Sequence, residues 1–312
     1  MPTKKLLVIL NPVSGQGNYD EIKSEVETAL ADAGVSFELR ETEGEGDAFR
    51  WAAEAGDFDL ILVGGGDGTV MEAMSGCIEN QHNVPLAQLP MGTANLLARA
   101  LAIPTRIKKA LTLALEGGVS TQMDVGYLPG MERYFAIVAG SGWDAQLIAD
   151  ADRDLKNRLG FFAYVIAGVK NLFRLQNSRI LLKLDGREIR TKAHTVEVIN
   201  VGEIYGTGIA IGNNLSPHDG RLDLAVIASS RWRGIFKLLW RLITKRFGDD
   251  SSLRYFSASR IEVEADPPLK LQIDGEAVGE TPYQVIVIPN GANLVVPREY
   301  VEAKKLDFKE LQ

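Results

Sequence analysis

One cysteine, Cys77, is too few for an intramolecular disulfide or a cysteine-based zinc cluster, so the composition fits a reducing compartment and predicts a cytoplasmic protein. The three histidines, His82, His194 and His218, are too scattered for metal-ligand or triad spacing. No apolar run approaches a membrane span: the longest, Phe161 to Val169, ends at Lys170. The amino-terminal Lys4-Lys5 followed by Leu6 to Leu10 is too short for a signal peptide and stops at Asn11-Pro12, so it reads as a first strand. Excess positive charge is also missing. A net charge of -7 argues against a general nucleic-acid binder, though only weakly, because no overall positive field would attract phosphate backbones. Neither Gly-x-x-x-x-Gly-Lys-Ser/Thr nor Gly-x-Gly-x-x-Gly occurs, which excludes a P-loop and the dinucleotide fingerprint. There is no internal repeat, low-complexity stretch or Pro/Ser-rich linker.

What is present is a core-forming chain of 312 residues, 46% hydrophobic, long enough for two domains. Apolar periodicity predicts strands at 5–10, 36–42, 58–63 and 85–89, alternating with helices at 19–33, 48–55, 70–79 and 94–101. That alternation implies a parallel sheet with helices on its faces and ligands beyond the carboxyl ends of the strands. After about residue 122 the pattern changes. Strands are predicted at 123–127 and 133–139, helices at 145–157 and 161–175, and then mostly strands: 180–184, 188–192, 196–201, 222–227, 260–264, 269–273 and 283–288. Asp185-Gly186 is a dipeptide preferred in tight hairpins. The fold class expected is therefore α/β in two domains, a parallel-sheet domain over 1–124 and a mainly antiparallel β domain with inserted helices over 125–289. The tail, 290–312, is expected to pack back on the first domain.

Three unusual loops fall at the carboxyl edge of the first sheet. Loop one, Asn11-Pro12-Val13-Ser14-Gly15-Gln16-Gly17, could receive phosphate on free amides, but alone it reads better as an ordinary turn. Loop two, Gly64-Gly65-Gly66-Asp67-Gly68-Thr69, holds more glycines than a tight turn needs. They would let amides reach a phosphate chain while Asp67 acts through magnesium and Thr69 bonds phosphate oxygens. In loop three, Pro90 to Asn95, Thr93 suits helix capping and phosphate contact equally. Far downstream, Asp274-Gly275-Glu276 places two carboxylates on one side of an extended chain, able to hold metal or accept a proton. Taken alone it reads as an exposed turn.

These residues resemble the diacylglycerol kinase and sphingosine kinase superfamily, particularly its bacterial lipid kinase branch. The resemblance is carried in order by Asn11-Pro12-Val13-Ser14-Gly15, Gly65-Gly66-Asp67-Gly68-Thr69, Gly92-Thr93-Ala94-Asn95-Leu96-Leu97-Ala98-Arg99, Gly142-Trp143-Asp144-Ala145, Asp219-Gly220-Arg221-Leu222-Asp223 and Asp274-Gly275-Glu276. It implies an amino-terminal nucleotide domain, a β-rich acceptor domain, ATP with magnesium, and transfer of the terminal phosphoryl group to a lipid hydroxyl. By position it implies that Asn11, Ser14, Thr42, Gly65, Gly66, Asp67, Gly68, Thr69, Glu72, Gly92 and Thr93 bind ATP. Glu276 would take the proton from the attacking hydroxyl, with Asp67 and Asp274 in the same metal and water network. Two departures stand out. Met71 replaces the family's usual Asn, and the loop around Asp219, a candidate structural magnesium ligand, is shortened, with Ser216 where a second acid is expected.

Residues 231–247 carry six basic residues and no acid in an otherwise acidic chain. On a helix Arg233, Lys237, Arg241 and Lys245 recur every fourth position while Trp232, Phe236, Leu239, Trp240 and Ile243 favour another face. That layout suits an interfacial helix on anionic lipid; a core-facing helix with a solvated basic stripe fits the segment equally well. The resulting expectation is a lipid kinase, peripheral on the inner membrane face, whose acceptor is diacylglycerol-like or sphingoid- and ceramide-like. A kinase for a soluble acceptor such as NAD, or a nucleotide-binding membrane sensor without turnover, are the alternatives. No nucleic-acid partner is expected, and the sequence leaves room for a homodimer.

Overall fold

The structure is a computed structural model and describes residues 4–15, 18–142, 145, 177–204, 209–210, 215–228 and 253–311. In chain order the strands are β1 (Lys5–Leu10), β2 (Ser36–Glu41), β3 (Leu60–Gly65), β4 (Leu86–Pro90), β5 (Gly118–Leu128), β6 (Arg133–Phe135), β7 (Val138–Gly142), β8 (Ser178–Leu184), β9 (Arg187–Ala193) and β10 (Thr195–Ile199). They continue as β11 (Glu203–Ile204), β12 (Ile209–Ala210), β13 (Leu222–Ile227), β14 (Leu253–Ala258), β15 (Arg260–Asp266), β16 (Lys270–Ile273), β17 (Glu276–Glu280), β18 (Tyr283–Pro297) and β19 (Lys309–Glu310). The α-helices are α1 (Tyr19–Asp32), α2 (Asp47–Ala53), α3 (Asp67–Glu79), α4 (Leu96–Ala100), α5 (Ile107–Thr112) and α6 (Arg298–Lys304). Two compact units result, Met1–Met123 with Asn290–Gln312, and Asp124–Pro289. The chain passes from one to the other within β5 and again within β18.

The first unit is built on a parallel sheet in the order β2-β1-β3-β4, extended beside β4 by the last part of β18 through Leu294 and Leu86. Both faces of its central strands are covered, which is why Leu6 to Leu10 and Leu60 to Val63 are unbroken apolar runs with no polar alternation. Leu6, Val8 and Leu10 share a core with Val26 and Leu30 of α1 and with Ala110 and Leu111 of α5. The helix α5 was absent from the sequence expectation, being only six residues long. Where α2 and α3 cross, Gly76 is required: a Cβ there would lie 2.2 Å from the Phe49 carbonyl oxygen.

The second unit is built on two antiparallel sheets around one core, with β11 and β12 paired separately. One sheet runs β14-β13-β10-β7-β16-β17, and the other joins the first part of β18 to β15, β8 and β9. Alternate residues of both sheets, such as Val196 and Val198, Leu222 and Leu224, Ile180 and Leu182, and Ile261 and Val263, fill the space between them. Asp185 and Gly186 turn the β8–β9 hairpin with positive φ at both positions, as the dipeptide predicts.

The mixed α/β class, with a parallel-rich first sheet and antiparallel later sheets, is as expected; several boundaries differ. β3 continues through Gly64 and Gly65, and α3 begins at Asp67 instead of Val70. The expected strand 133–139 is broken into β6 and β7, and β18 is fifteen residues long. β14 and β17 were not foreseen. The predicted helices over 145–157 and 161–175, apart from Ala145, lie outside the described residues, as does the whole basic segment 231–247.

Candidate functional site

The three loops do meet at the carboxyl edge of the first sheet. Asn11 donates from its backbone to the Gly64 carbonyl at 2.8 Å and from Nδ2 to Thr69 Oγ1 at 2.9 Å, tying loop one to the start of α3. The Asn11 Oδ1 turns back to accept from the Val13 amide, which leaves Val13 at the loop tip 89% exposed. Loop three is held by Met91, whose amide donates to Gly65, and by Asn95, whose Nδ2 donates to the Gly92 carbonyl at 2.6 Å. Thr42, at the end of β2, continues the ladder by donating to Leu10. Ser14 is half-buried and Thr93 exposed.

Packing accounts for most of the glycines. A Cβ at Gly65 would meet Thr69 at 2.6 Å, one at Gly64 would meet Leu10 at 2.5 Å, and one at Gly92 would lie 2.6 Å from the Cα of Gly66. Gly15 has φ +80° and faces the Met91 carbonyl so closely that no side chain fits. Gly68 is different. It lies in the first turn of α3, is exposed, and among the described residues nothing stands within 4 Å of where its Cβ would be. A residue that weakens a helix and relieves no clash in the protein leaves space for something else to approach. Among the described residues no side chain caps the amino end of α3, so its first amides are left at the positive end of the helix dipole.

Asp67 has a structural role that the sequence did not reveal. Its Oδ2 accepts from Leu96 and its Oδ1 from Leu97, both at 3.0 Å, so it caps α4 and fixes loop three against loop two. Each oxygen retains a further lone pair. Glu72 accepts from the Gly46 amide at 3.1 Å, supporting the start of α2, and burial together with the nearby Glu45 and Asp47 carboxylates raises its pKa. The Asn95 Oδ1 is buried beside Gly92 and has no partner among the described residues. Among the described residues, no three acidic, histidine or cysteine side chains are grouped to hold a metal ion.

In the second unit the Asp274-Gly275-Glu276 turn divides into two roles. Asp274, at φ +45°, accepts from the amides of Ala136, Ile137 and Val138 at 2.9, 3.1 and 2.8 Å, which separates β6 from β7 and anchors the β16–β17 hairpin. Glu276 opens β17, is exposed, and forms a 2.8 Å ion pair with Arg133 of β6. Arg133 was not singled out from sequence, since a lone arginine at the start of a strand carries no pattern. Asp124 also escaped notice, although a carboxylate among the buried residues of β5 was a legible signal. It is 1% exposed, and its Oδ2 accepts from Gly220 at 2.6 Å. The Asp219 Oδ1 caps the same turn by accepting from Arg221, and its pKa is raised by burial and by Asp124. Burial and Asp219 push Asp223 up to about 6.

Residues 5–128 match the diacylglycerol kinase catalytic domain, and residues 137–296, about half of the chain, match the YegS C-terminal NAD kinase beta sandwich-like domain. The chain belongs to the diacylglycerol kinase family. Lipid kinases of this family resemble it over nearly their whole length. A diacylglycerol kinase of Bacillus subtilis strain 168 is 29% identical over 307 residues, covering 97% of this chain and 99% of the relative. One of Staphylococcus carnosus strain TM300 is 25% identical, covering 95% and 96%. A solved structure of a candidate diacylglycerol kinase from Bacillus anthracis strain Sterne superimposes with a TM-score of 0.81 at 26% identity, covering 96% of this chain and 98% of that one. The diacylglycerol kinase catalytic domain makes the chain a lipid kinase, and among the described residues no helix is long and apolar enough to cross a membrane.

Proposed function

We propose that the protein transfers the terminal phosphoryl group of magnesium-bound ATP to a lipid hydroxyl, with diacylglycerol as the first acceptor to test and sphingoid or ceramide-like lipids next. The observation that carries the donor half is the open amino end of α3, where Gly68 leaves room that no described residue fills and uncapped amides favour an anion. Asn11, Ser14, Thr69 and Thr93 line that edge, and Gly65, Gly66 and Gly92 let the loop backbones lie close enough to share one ligand. A triphosphate brings its own oxygens to magnesium, so the protein need add only about one or two carboxylates. Asp67 fits that requirement with its remaining lone pairs. Magnesium there would neutralise charge on the transferring group.

Glu276 takes the proton from the acceptor hydroxyl, a role supported by its carboxylate standing exposed at the start of β17 where an acceptor can reach it. Asp274, with three amides on its carboxylate, acts in this reading by holding the hairpin that carries Glu276. The basic amphipathic sequence 231–247 brings the enzyme to anionic lipid on the cytoplasmic face.

The test is transfer of label from ATP with magnesium to a panel of these lipids in mixed micelles, with NAD as the soluble control and Asp67→Ala and Glu276→Gln as variants. Label in a lipid, lost in both folded variants, supports the assignment. Label in NAD alone moves the acceptor to a soluble class, and full activity in either variant sinks that residue's role.

A further inference from the structure

Resting on the reading of Glu276 as proton acceptor, we propose that Arg133 is a positioning residue that holds the Glu276 carboxylate in the orientation from which it meets the acceptor hydroxyl. The backbone around both residues is already fixed. Asp274 ties the hairpin tip to residues 136–138, and the Gly275 amide donates to the Gln272 Oε1 at 2.8 Å, with Gln272 itself buried. What stays free is the side chain of Glu276, whose rotatable bonds stand on an exposed strand end, 65% accessible. Arg133, at the first position of β6 and 143 residues earlier in the chain, reaches it with Nη2 at 2.8 Å.

An ion pair this exposed adds little to folding, so stability gives little reason for it. Orientation gives a better one. A proton acceptor works only from within hydrogen-bond reach of the attacking hydroxyl, and a small misplacement costs orders of magnitude in rate. The planar guanidinium fixes direction as well as distance, and a lysine ammonium at the same position supplies charge with less directional control.

The experiment compares wild type, Arg133→Met, Arg133→Lys, Glu276→Gln and the Met/Gln double variant in steady-state phosphoryl transfer, using the best acceptor of the lipid panel. Arg133→Met should lower kcat about 10- to 100-fold with the KM for ATP within about twofold, and Arg133→Lys should recover most of the loss. The double variant should be no slower than Glu276→Gln, because a positioning residue has nothing left to position. Should Arg133→Met fail to fold, Arg133→Lys and Arg133→Gln replace it in the same comparison. An Arg133→Met kcat within about twofold of wild type beside an inactive Glu276→Gln overturns the inference and leaves Glu276 in its role. So does a raised KM for ATP with kcat intact, which would make Arg133 a donor-phosphate ligand. Wild-type activity in Glu276→Gln, or no transfer by wild type to any acceptor, overturns the reading of Glu276 itself and this inference with it.

Discussion

Gly68→Ala should make the protein more stable and a poorer binder of ATP at once. The backbone at Gly68 lies outside the left-handed region and no described residue stands within 4 Å of the new Cβ, so the folded state accepts alanine without strain. Glycine in a helix costs about 0.5–1 kcal/mol relative to alanine, much of it through the freedom of the unfolded chain. In the first turn of α3 the lower end applies, about 0.5 kcal/mol, a rise in Tm of about 1–2 °C for a domain of this size. The same methyl group enters the space where the phosphate chain is proposed to lie. Displacing a phosphate from two or three amides should weaken affinity at least tenfold, about 1.4 kcal/mol. Thermal melts with and without magnesium-ATP read both effects together: the variant starts higher and gains less from ligand than wild type. Gly65→Ala is the internal control, because its Cβ would lie 2.6 Å from Thr69 and overpacking should lower stability by about 1–3 kcal/mol. A Gly68→Ala protein that binds ATP as tightly as wild type by titration calorimetry would show that the open space is not the phosphate site.

Asp274→Ala strands three amides and should destabilise by about 3 kcal/mol or more, whereas Glu276→Gln should leave the urea midpoint nearly unchanged; equal effects would contradict the division of the turn into anchor and reactive group. Asp67→Ala removes the caps on Leu96 and Leu97 and should lose about 1–2 kcal/mol as well as activity, so its inactivity counts only in protein shown to be folded by circular dichroism. The folded-state pKa of Glu72 is raised, chiefly by burial, so ionising it opposes folding once the pH exceeds the ordinary glutamate value of 4.5. Glu72→Gln should therefore have the higher Tm at pH 7, with the difference closing as the pH falls below that value; a lower Tm at pH 7 would show that the Gly46 bond outweighs burial. Cys77 is buried and its thiol is pushed up to about 12, so it should resist alkylation at pH 8 until the protein is unfolded.

The alternation of apolar strands and amphipathic helices was readable because a parallel strand buried on both faces must be continuously apolar, and Leu6 to Leu10 admits no other element. Local chemistry likewise determined the Asp185-Gly186 hairpin and the ordered motifs that point to the diacylglycerol kinase family. What a glycine is for was not readable. Gly64, Gly65 and Gly68 look alike in sequence, and only the positions of Leu10, Met91 and Thr69 separate two that permit packing from one that leaves a space. The two carboxylates of Asp274-Gly275-Glu276 were equally indistinguishable along the chain. Tertiary structure sends one to three amides of residues 136–138 and the other to Arg133, because partners more than a hundred residues away are chosen by the fold and leave no periodicity behind.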